Sequence, residues 1–479
     1  MIRNNPIKKI VLIILLSLAG KGYHAFAQQD SVFISVGDFI NYIKTNHPLL
    51  KKYSLISKAA RQELLSVKGQ LDPSISSSLD QKQFNDKNYF TVWDNQLKIP
   101  TWFGPDIKLG YENNTGSFLN NSDFIPNSGL VALGVSVPIG QGMLIDARRN
   151  TVKQARLFTK MADAEQTKFI NKFLLSALKD YWEWHFAYNK LVQLTNSYNF
   201  SRNVYSFTVE RVKQGDAAPI DSVEVSINMN TILGNLLNAR IEYFNTGMMI
   251  STYLWKDENT PLELAPNMYP QHMEPVEFAI LNDSLQKSID WSKVNNPEIR
   301  KQQYKIEQLK VEQFFSKNSL LPKIQADAAF LSSGSDFQAG RYYSPGNYKL
   351  GGNLYMPLFL RKERGKLNGV RIKLLDANYE LQQINREVET GIKANLNECL
   401  VNWNQINLQR NVVKNSERLR NAEKTNFDNG ESSAFLINTR EMSLLNQRIK
   451  YYEMIMKYQK AQANLYNTIG NLTQIYGIN

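Results

Sequence analysis

Residues 365–406, GKLNGVRIKLLDANYELQQINREVETGIKANLNECLVNWNQI, decide the architecture. Leu367, Val370, Leu374, Ala377, Leu381, Ile384 and Val388 recur at alternating steps of three and four, the seam of a coiled coil. After Val388 the steps become four and four through Ile392 and Leu396, then three, four and three through Cys399, Trp403 and Ile406. Extra fours of this kind are stutters, which locally unwind a supercoil and let a helix run straighter. A single helix over residues 365–426 would be roughly 90 Å long at about 1.5 Å per residue. One globular core does not require such a rod. A matching seam runs through Ile170, Leu174, Ala177, Tyr181, Trp184, Tyr188 and Leu191.

The second rod belongs to a duplication. His47-Pro48-Leu49 recurs 249 residues later as Asn296-Pro297-Glu298, and Leu71-Asp72-Pro73 recurs at the same offset as Leu320-Leu321-Pro322. Each half then passes through alternating segments to a second proline, Pro138 or Pro357, which opens the long helical pattern. The patterns break at Gly215 and Gly430, and each break leads into another helix. The return helix of the first half, with Ile220, Val223, Ile227, Gly234, Leu237, Ile241, Phe244 and Met248 at heptad spacing, is expected to pack on its rod as an antiparallel hairpin. A period this long is a duplicated domain. The organisation expected is a signal peptide over 1–27, a first repeat over 28–255 and a second over 276–479. A Pro-rich linker over 256–275, with Pro261, Pro266, Pro270 and Pro275, separates the repeats.

The leader combines Lys8 and Lys9, an apolar run from Ile10 to Ala19, and Ala25-Phe26-Ala27 as a cleavage site, so the chain is expected to leave the cytoplasm. No cysteine follows that site, which argues against a lipoprotein, and the one cysteine, Cys399, rules out an intramolecular disulfide. The formal charge of +12 is a mild excess over 479 residues and forms no dense basic stripe, so no nucleic-acid partner is expected. Beyond the leader no run of about 18 apolar residues marks a spanning helix.

Any membrane crossing must therefore use strands. Ile107, Leu109 and Tyr111 alternate with Lys108, Gly110 and Glu112, and Val131, Leu133, Val135 and Val137 with Ala132, Gly134 and Ser136. In the second half Ile324, Ala326, Ala328 and Phe330 alternate with polar or small residues, as do Leu350, Leu354 and Met356. This pattern suits a transmembrane β-barrel and equally a sheet with one face on a soluble core. The neighbouring rods favour the barrel. One copy has too few strands to close a sizeable barrel, and open edges in lipid cost several kcal/mol per unpaired group, so several copies are expected.

With these features the chain resembles the TolC-like outer-membrane efflux proteins. The resemblance spans nearly all of the mature sequence. It rests on Asn46-His47-Pro48 and Asn296-Pro297, the Leu-x-Pro and Leu-Leu-Pro motifs before the strands, Val137-Pro138-Ile139 and Met356-Pro357-Leu358 after them, and the turns Val212-Lys213-Gln214-Gly215-Asp216 and Asn426-Phe427-Asp428-Asn429-Gly430-Glu431. It implies a mainly α fold with a transmembrane β-barrel section, assembled as a homotrimeric α-barrel/β-barrel tunnel in the outer membrane and periplasm. Its implied partners are outer-membrane lipid, a periplasmic adaptor and an inner-membrane transporter, and it implies no catalysis and no cofactor. The exit duct of a type I protein secretion system is a second reading within this class. A pore-less periplasmic coiled-coil scaffold is a reading from another class.

One departure from that family is visible. The interval between the prolines that flank the strands is 65 residues in the first half and 35 in the second. The surplus contains two further candidate strands, 89–99 and 106–113, giving either six strands per copy or, as the favoured reading, a hairpin projecting past the membrane. By resemblance, Gly215, Asp216, Asp221, Asp428, Gly430 and Glu431 form the periplasmic tips that meet the adaptor, where rings of carboxylates would select cations. The plainer reading makes the glycines helix caps and places the carboxylates near the next helix's N-terminus. The aromatic run 181–188 is read as helix packing. His47, His185 and His272 lack metal-site spacing. Trp93, Trp102, Tyr342 and Tyr343 are placed near strand ends, as interface anchors or turn packing.

Overall fold

The computed structural model describes residues 32–257, 259–276, 282–341 and 344–477. The leader, and Tyr342 and Tyr343, lie outside them. Strand β1 (Val32–Ile34) leads to helices α1 (Val36–Asn46) and α2 (Pro48–Lys68), and then strands β2 (Ser74–Phe84), β3 (Lys87–Pro100), β4 (Asp106–Thr115) and β5 (Leu130–Gly140). Helices α3 (Ala147–Gln214) and α4 (Pro219–Ser251) close the first series. After β6 (Met268–Pro270) the order returns: α5 (Asn282–Asn295), α6 (Pro297–Asn318), β7 (Lys323–Ser333), a short α7 (Gly334–Gln338), β8 (Tyr348–Tyr355), α8 (Arg361–Asp428) and α9 (Ala434–Ile469), with α10 (Leu472–Ile475) last.

Both rods are single helices of 68 residues, about 100 Å each at 1.5 Å per residue. Their seams are the buried faces expected from spacing, from Ile170 through Leu174, Ala177, Tyr181 and Trp184 on α3, and from Leu367 through Val388, Ile392, Leu396, Cys399 and Ile406 on α8. Among the described residues no helix is long and apolar enough to cross a membrane.

The chain forms two compact units that cut across the sequence repeats. One takes residues up to His47, Ala177–Glu277 and Asn402–Gln459. The other takes Pro48–Ser176, Phe278–Val401 and the chain from Lys460 onward, and it holds the whole large sheet.

The proline motifs do the same work in each repeat. His47 ends α1, Pro48 starts α2, and the His47 ring donates from Nε2 to the carbonyl of Thr252 at the C-terminus of α4 (3.3 Å). Asn296 caps α6 by accepting from the N–H of Glu298, with Pro297 at the first helical turn, and its amide donates to the carbonyl of Thr468 near the end of α9 (2.9 Å). In both cases a residue before proline closes a helix junction onto an orphan carbonyl of the returning helix, where such carbonyls lack intrahelical partners. The Pro-rich linker contains structure of its own, since β6 pairs in parallel with β1, Val32 opposite Met268.

The packing of α4 differs from expectation. Val225, Ile232, Leu236, Ala239, Gly247 and Ile250 are its buried residues. Ile220, Val223, Ile227, Leu237, Ile241 and Phe244, read from spacing as the seam, are exposed. The helix is apolar on two faces, so heptad spacing selected the wrong one.

The six strands β2 to β5, β7 and β8 form one antiparallel sheet in the order β2-β3-β4-β5-β7-β8. The extra pair is therefore part of the sheet. β3 and β4 lie inside the sheet, β3 paired along β2 from Ser74↔Lys98 to Phe84↔Lys87 and β4 paired along β5 from Asp106↔Ser136 to Glu112↔Leu130. The physical reason is parity: an up-and-down pair inserted between two neighbours leaves every outer strand direction unchanged, and its backbone groups find partners on both sides.

Candidate functional site

Two surfaces differ from an ordinary soluble domain, the apolar face of the sheet and the two helical turns.

Register aligns the sheet's faces across all six strands. Ile75, Leu97, Leu109, Leu133, Phe330 and Tyr348 are successive cross-strand partners in one row, and Ile99, Ile107, Val135, Ala328 and Leu350 form another. The opposite face of the same strands presents Ser74, Lys98, Lys108, Gly134, Ala329 and Lys349 in one row. The apolar rows are open to the outside, with Ile75 83%, Leu133 53%, Phe330 53% and Leu350 70% exposed. A continuous apolar face of this extent is an interaction surface, not a normal soluble exterior. Strands of 8 to 14 residues bracket the roughly 9–11 that a tilted strand needs to cross a bilayer. Exposed aromatic side chains lie beyond strand ends, Trp102 and Phe103 on one side and Phe118 and Phe124 on the other, as in the aromatic girdles of outer-membrane barrels. Trp93 is not at a strand end; it lies mid-strand in β3, donating from Nε1 to the Ser77 hydroxyl (3.0 Å) with its ring edge-on to Tyr111.

On the polar face the sheet is tied to the start of α3. Arg148 pairs with Asp106 (3.0 Å) and Asp146 (3.2 Å), and Lys98 also reaches Asp106 (3.2 Å). Partly buried, charge-assisted pairs of this kind fix where the rod leaves the strands.

The two turns are copies at the level of single hydrogen bonds. At the first, the Gly215 N–H donates to the carbonyl of Val212 (3.1 Å) and the Asp216 N–H to that of Arg211 (2.8 Å). At the second, Gly430 donates to Phe427 (3.1 Å) and Glu431 to Asn426 (2.8 Å). Each is a Schellman motif with glycine in the left-handed region, φ 82° and 81°. The plain reading of these glycines as caps is thus correct, and both motifs place an exposed carboxylate, Asp216 or Glu431, immediately after the cap. Asp428 ends α8 and pairs with Lys424 one turn earlier. Asp221 lies in the first turn of α4, half-buried and favourably placed against the helix dipole.

The structure brings the two turns together over one cluster. Val204, Val225, Phe427, Ala434 and Ile437, one or two residues from each of α3, α4, α8 and α9, pack with Phe200 and Tyr205. Next to it lies a polar layer that the sequence reading missed. Ser197, Ser201 and Thr208 on α3 are almost fully buried, as are Glu423 on α8 and Glu441 on α9. Arg420 approaches Glu441 (3.5 Å) and covers the Phe200 ring, while Ser432 donates to Glu423. Burial pushes the Glu441 carboxyl above the ordinary range, with the Ser197 hydroxyl and the guanidinium groups of Arg420 and Arg448 opposing it. The signal was present: Leu194, Ser197, Ser201, Val204 and Thr208 continue the three-four spacing of α3, with small hydroxyls where the upper seam has aromatic rings.

A duplicated chain with two 68-residue helices, Schellman tips over a polar layer and a sheet with one apolar face has the architecture expected of an outer-membrane channel with helical extensions. The comparisons agree. Residues 289–471 match the family described as outer membrane efflux protein. No curated protein matches the sequence. The fold is similar to the Campylobacter jejuni CmeC outer membrane channel (TM-score 0.61, 15% identity, 90% of this chain and 84% of that one). It is also similar to the Vibrio cholerae outer membrane protein VceC (0.62, 13%, 90% and 95%) and to the open state of the Neisseria gonorrhoeae MtrE outer membrane channel (0.60, 11%, 91% and 88%). The family match covers the second repeat, and the likeness to these channels in fold extends over about nine-tenths of the chain.

Proposed function

We propose that the protein is the exit duct of a tripartite efflux system, a homotrimer that conducts substrates passively from an inner-membrane transporter and a periplasmic adaptor to the exterior. The observation behind this reading is the outward apolar face of the sheet on the same chain as the long hairpins. Lipid is the partner that an apolar sheet face in the outer membrane requires. The exposed apolar stripe of α4, Ile220 to Phe244, is surface of the kind that subunits of a ring bury head to tail, each against a different patch of its neighbour.

The tips are the adaptor contact and the gate in this reading, with Gly215, Asp216, Asp221, Asp428, Gly430 and Glu431 as the residues concerned. Small hydroxyls and a buried Glu441 in place of large apolar groups weaken the packing beneath them. Helices held that way separate at lower cost than the aromatic seam nearer the sheet. The residues that follow the caps, Asp216 and Glu431, are the equivalent pair and the best carboxylates to alter. The test is planar-bilayer conductance of the detergent-purified oligomer, comparing wild type with Asp216→Asn/Glu431→Gln. A small cation-preferring conductance that the double change makes less cation-selective supports the duct. A membrane-inserted oligomer with no channel activity, even with the tips altered, refutes it.

A further inference from the structure

From the sheet register we infer that all six strands lie in the membrane wall, that copies join by pairing β8 of one with β2 of the next, and that the trimer therefore closes an 18-stranded barrel. The inference rests on the trimeric reading above.

Three observations combine. The apolar row from Ile75 to Tyr348 crosses every strand, including the inserted β3 and β4 through Leu97 and Leu109, so the insert presents to lipid the same face as the strands beside it. The insert is interior to the sheet, so taking it out of the wall would unzip two ladders at once. Among the described residues, β2 and β8 are the two edges of the sheet. Their apolar residues are among the most open on the sheet, with Ile75 83%, Leu79 64%, Leu350 70% and Leu354 70% exposed.

An edge cannot stay unpaired in hydrocarbon. Six strands are too few to close on themselves, since about eight already leave an interior filled by side chains. The edges must meet across copies. β2 begins just after α2 and the turn that follows it, whereas β8 ends just before α8, so the two edges run in opposite directions and pair antiparallel. Keeping the apolar residues on the lipid side sets the register to within steps of two. Aligning the ends nearest the helices places Ile75 opposite Leu354, Ser77 opposite Gly352 and Leu79 opposite Leu350. Barrel width grows roughly linearly with strand number, so the wall is about 1.5 times as wide as one of twelve strands.

The single cysteine makes this testable. In a Cys399→Ala background, cysteines at 75, 77 and 79 are paired one by one with cysteines at 350, 352 and 354 in the full-length membrane-inserted protein, and oxidised. A further pair joins Leu354→Cys to Ile107→Cys on β4, the edge that would be offered if the outer β2–β3 hairpin, rather than the inserted β3–β4 pair, left the wall; loss of the β3–β4 pair itself is tested by the deletion below. The expected result is dimer and trimer ladders from a β2–β8 pair and none from the 107/354 pair, with single-cysteine controls unlinked. A trimer by native mass spectrometry that links through 107/354, or through no β2–β8 pair, overturns the 18-stranded wall while leaving the trimeric duct intact. Absence of any trimer overturns the trimeric reading itself. Polymer exclusion gives a second measure: removing residues 87–115 should narrow the outer mouth, and an unchanged cutoff there contradicts the inference.

Discussion

The two repeats agree in their helices and differ in their strands. Both rods are 68 residues long, and both end in the same Schellman turn. Their seams align when counted back from the turn glycines, Tyr181 with Leu396, Trp184 with Cys399 and Tyr188 with Trp403. Yet the first repeat supplies four strands to the sheet and the second supplies two. The difference shows which feature each element must satisfy. A helix that spans a fixed distance and returns has its length set by that distance. A barrel wall accepts any even insertion, because an added up-and-down pair restores the direction of the chain and leaves no new edge.

The largest break in the helical symmetry is chemical. Trp184 is fully buried and Cys399 is its equivalent, so Trp184→Ala should cost about 3–5 kcal/mol as a cavity forms, while Cys399→Ala removes a single sulfur and should cost about 1 kcal/mol. Urea unfolding of the detergent-solubilised protein, followed by far-UV circular dichroism, measures both. Similar costs would mean that the two seams are equally plastic.

Next to Trp184, His185 has no exposed surface, and its neighbour Asn189 donates to the His185 carbonyl (2.8 Å). Burial, with the charge of His272 as a second cause, pushes the imidazole down to about 4. The unfolded chain therefore takes up a proton near pH 6.5 that the folded chain refuses until about pH 4. Stability present above about pH 6.5 is lost as pH falls through this window, by about 3 kcal/mol in total. His185→Phe should remove that part of the acid slope. If the slopes of wild type and variant coincide, the ring is not what titrates. The second repeat has no histidine in this seam, so the effect belongs to the first repeat alone.

The sheet allows the sharpest comparison between insert and shared strands. Arginine on a lipid face near mid-membrane costs about 2–4 kcal/mol. Leu109→Arg in the insert and Leu350→Arg in the second repeat should therefore lower the yield of membrane-assembled oligomer to similar extents, whereas Ala132→Arg on the polar face should be tolerated. A harmless Leu109→Arg beside a damaging Leu350→Arg would place the insert outside the bilayer.

How much of this was legible follows from what each element depends on. The α8 seam could be read because a three-four pattern has one buried solution: Leu367, Val370, Ala377, Val388, Ile392, Leu396, Cys399 and Ile406 are buried, with Leu374, Leu381, Ile384 and Trp403 half-buried among them. The α4 seam could not. Apolar residues lie on two of its faces, and spacing alone does not say whether Ile232 or Ile241 turns inward. The six-strand sheet was present as alternation at Leu97 and Leu109, but which strands are neighbours is a property of pairing, which no local window contains. The tip glycines were legible because only a left-handed cap explains a lone glycine between two helical patterns. The polar layer of Ser197, Ser201 and Glu441 was hidden because a seam is sought among apolar residues.

The smallest effect tests the symmetry of the tips. Beyond the adjoining backbone, no atom lies within 4 Å of where a Cβ would stand at Gly215 or Gly430, so an alanine at either position meets only the backbone penalty of the left-handed region. That penalty is about 1 kcal/mol, and asparagine should reduce it. Gly215→Ala and Gly430→Ala should thus accelerate amide hydrogen exchange around their own turns by about fivefold each, in the purified protein without partners. Equal effects are the signature of two copies of one motif. If an adaptor then protects both turns from exchange, the equal pair extends to function. If it protects only one, the duplication has been divided between a turn that docks and a turn that merely closes the hairpin.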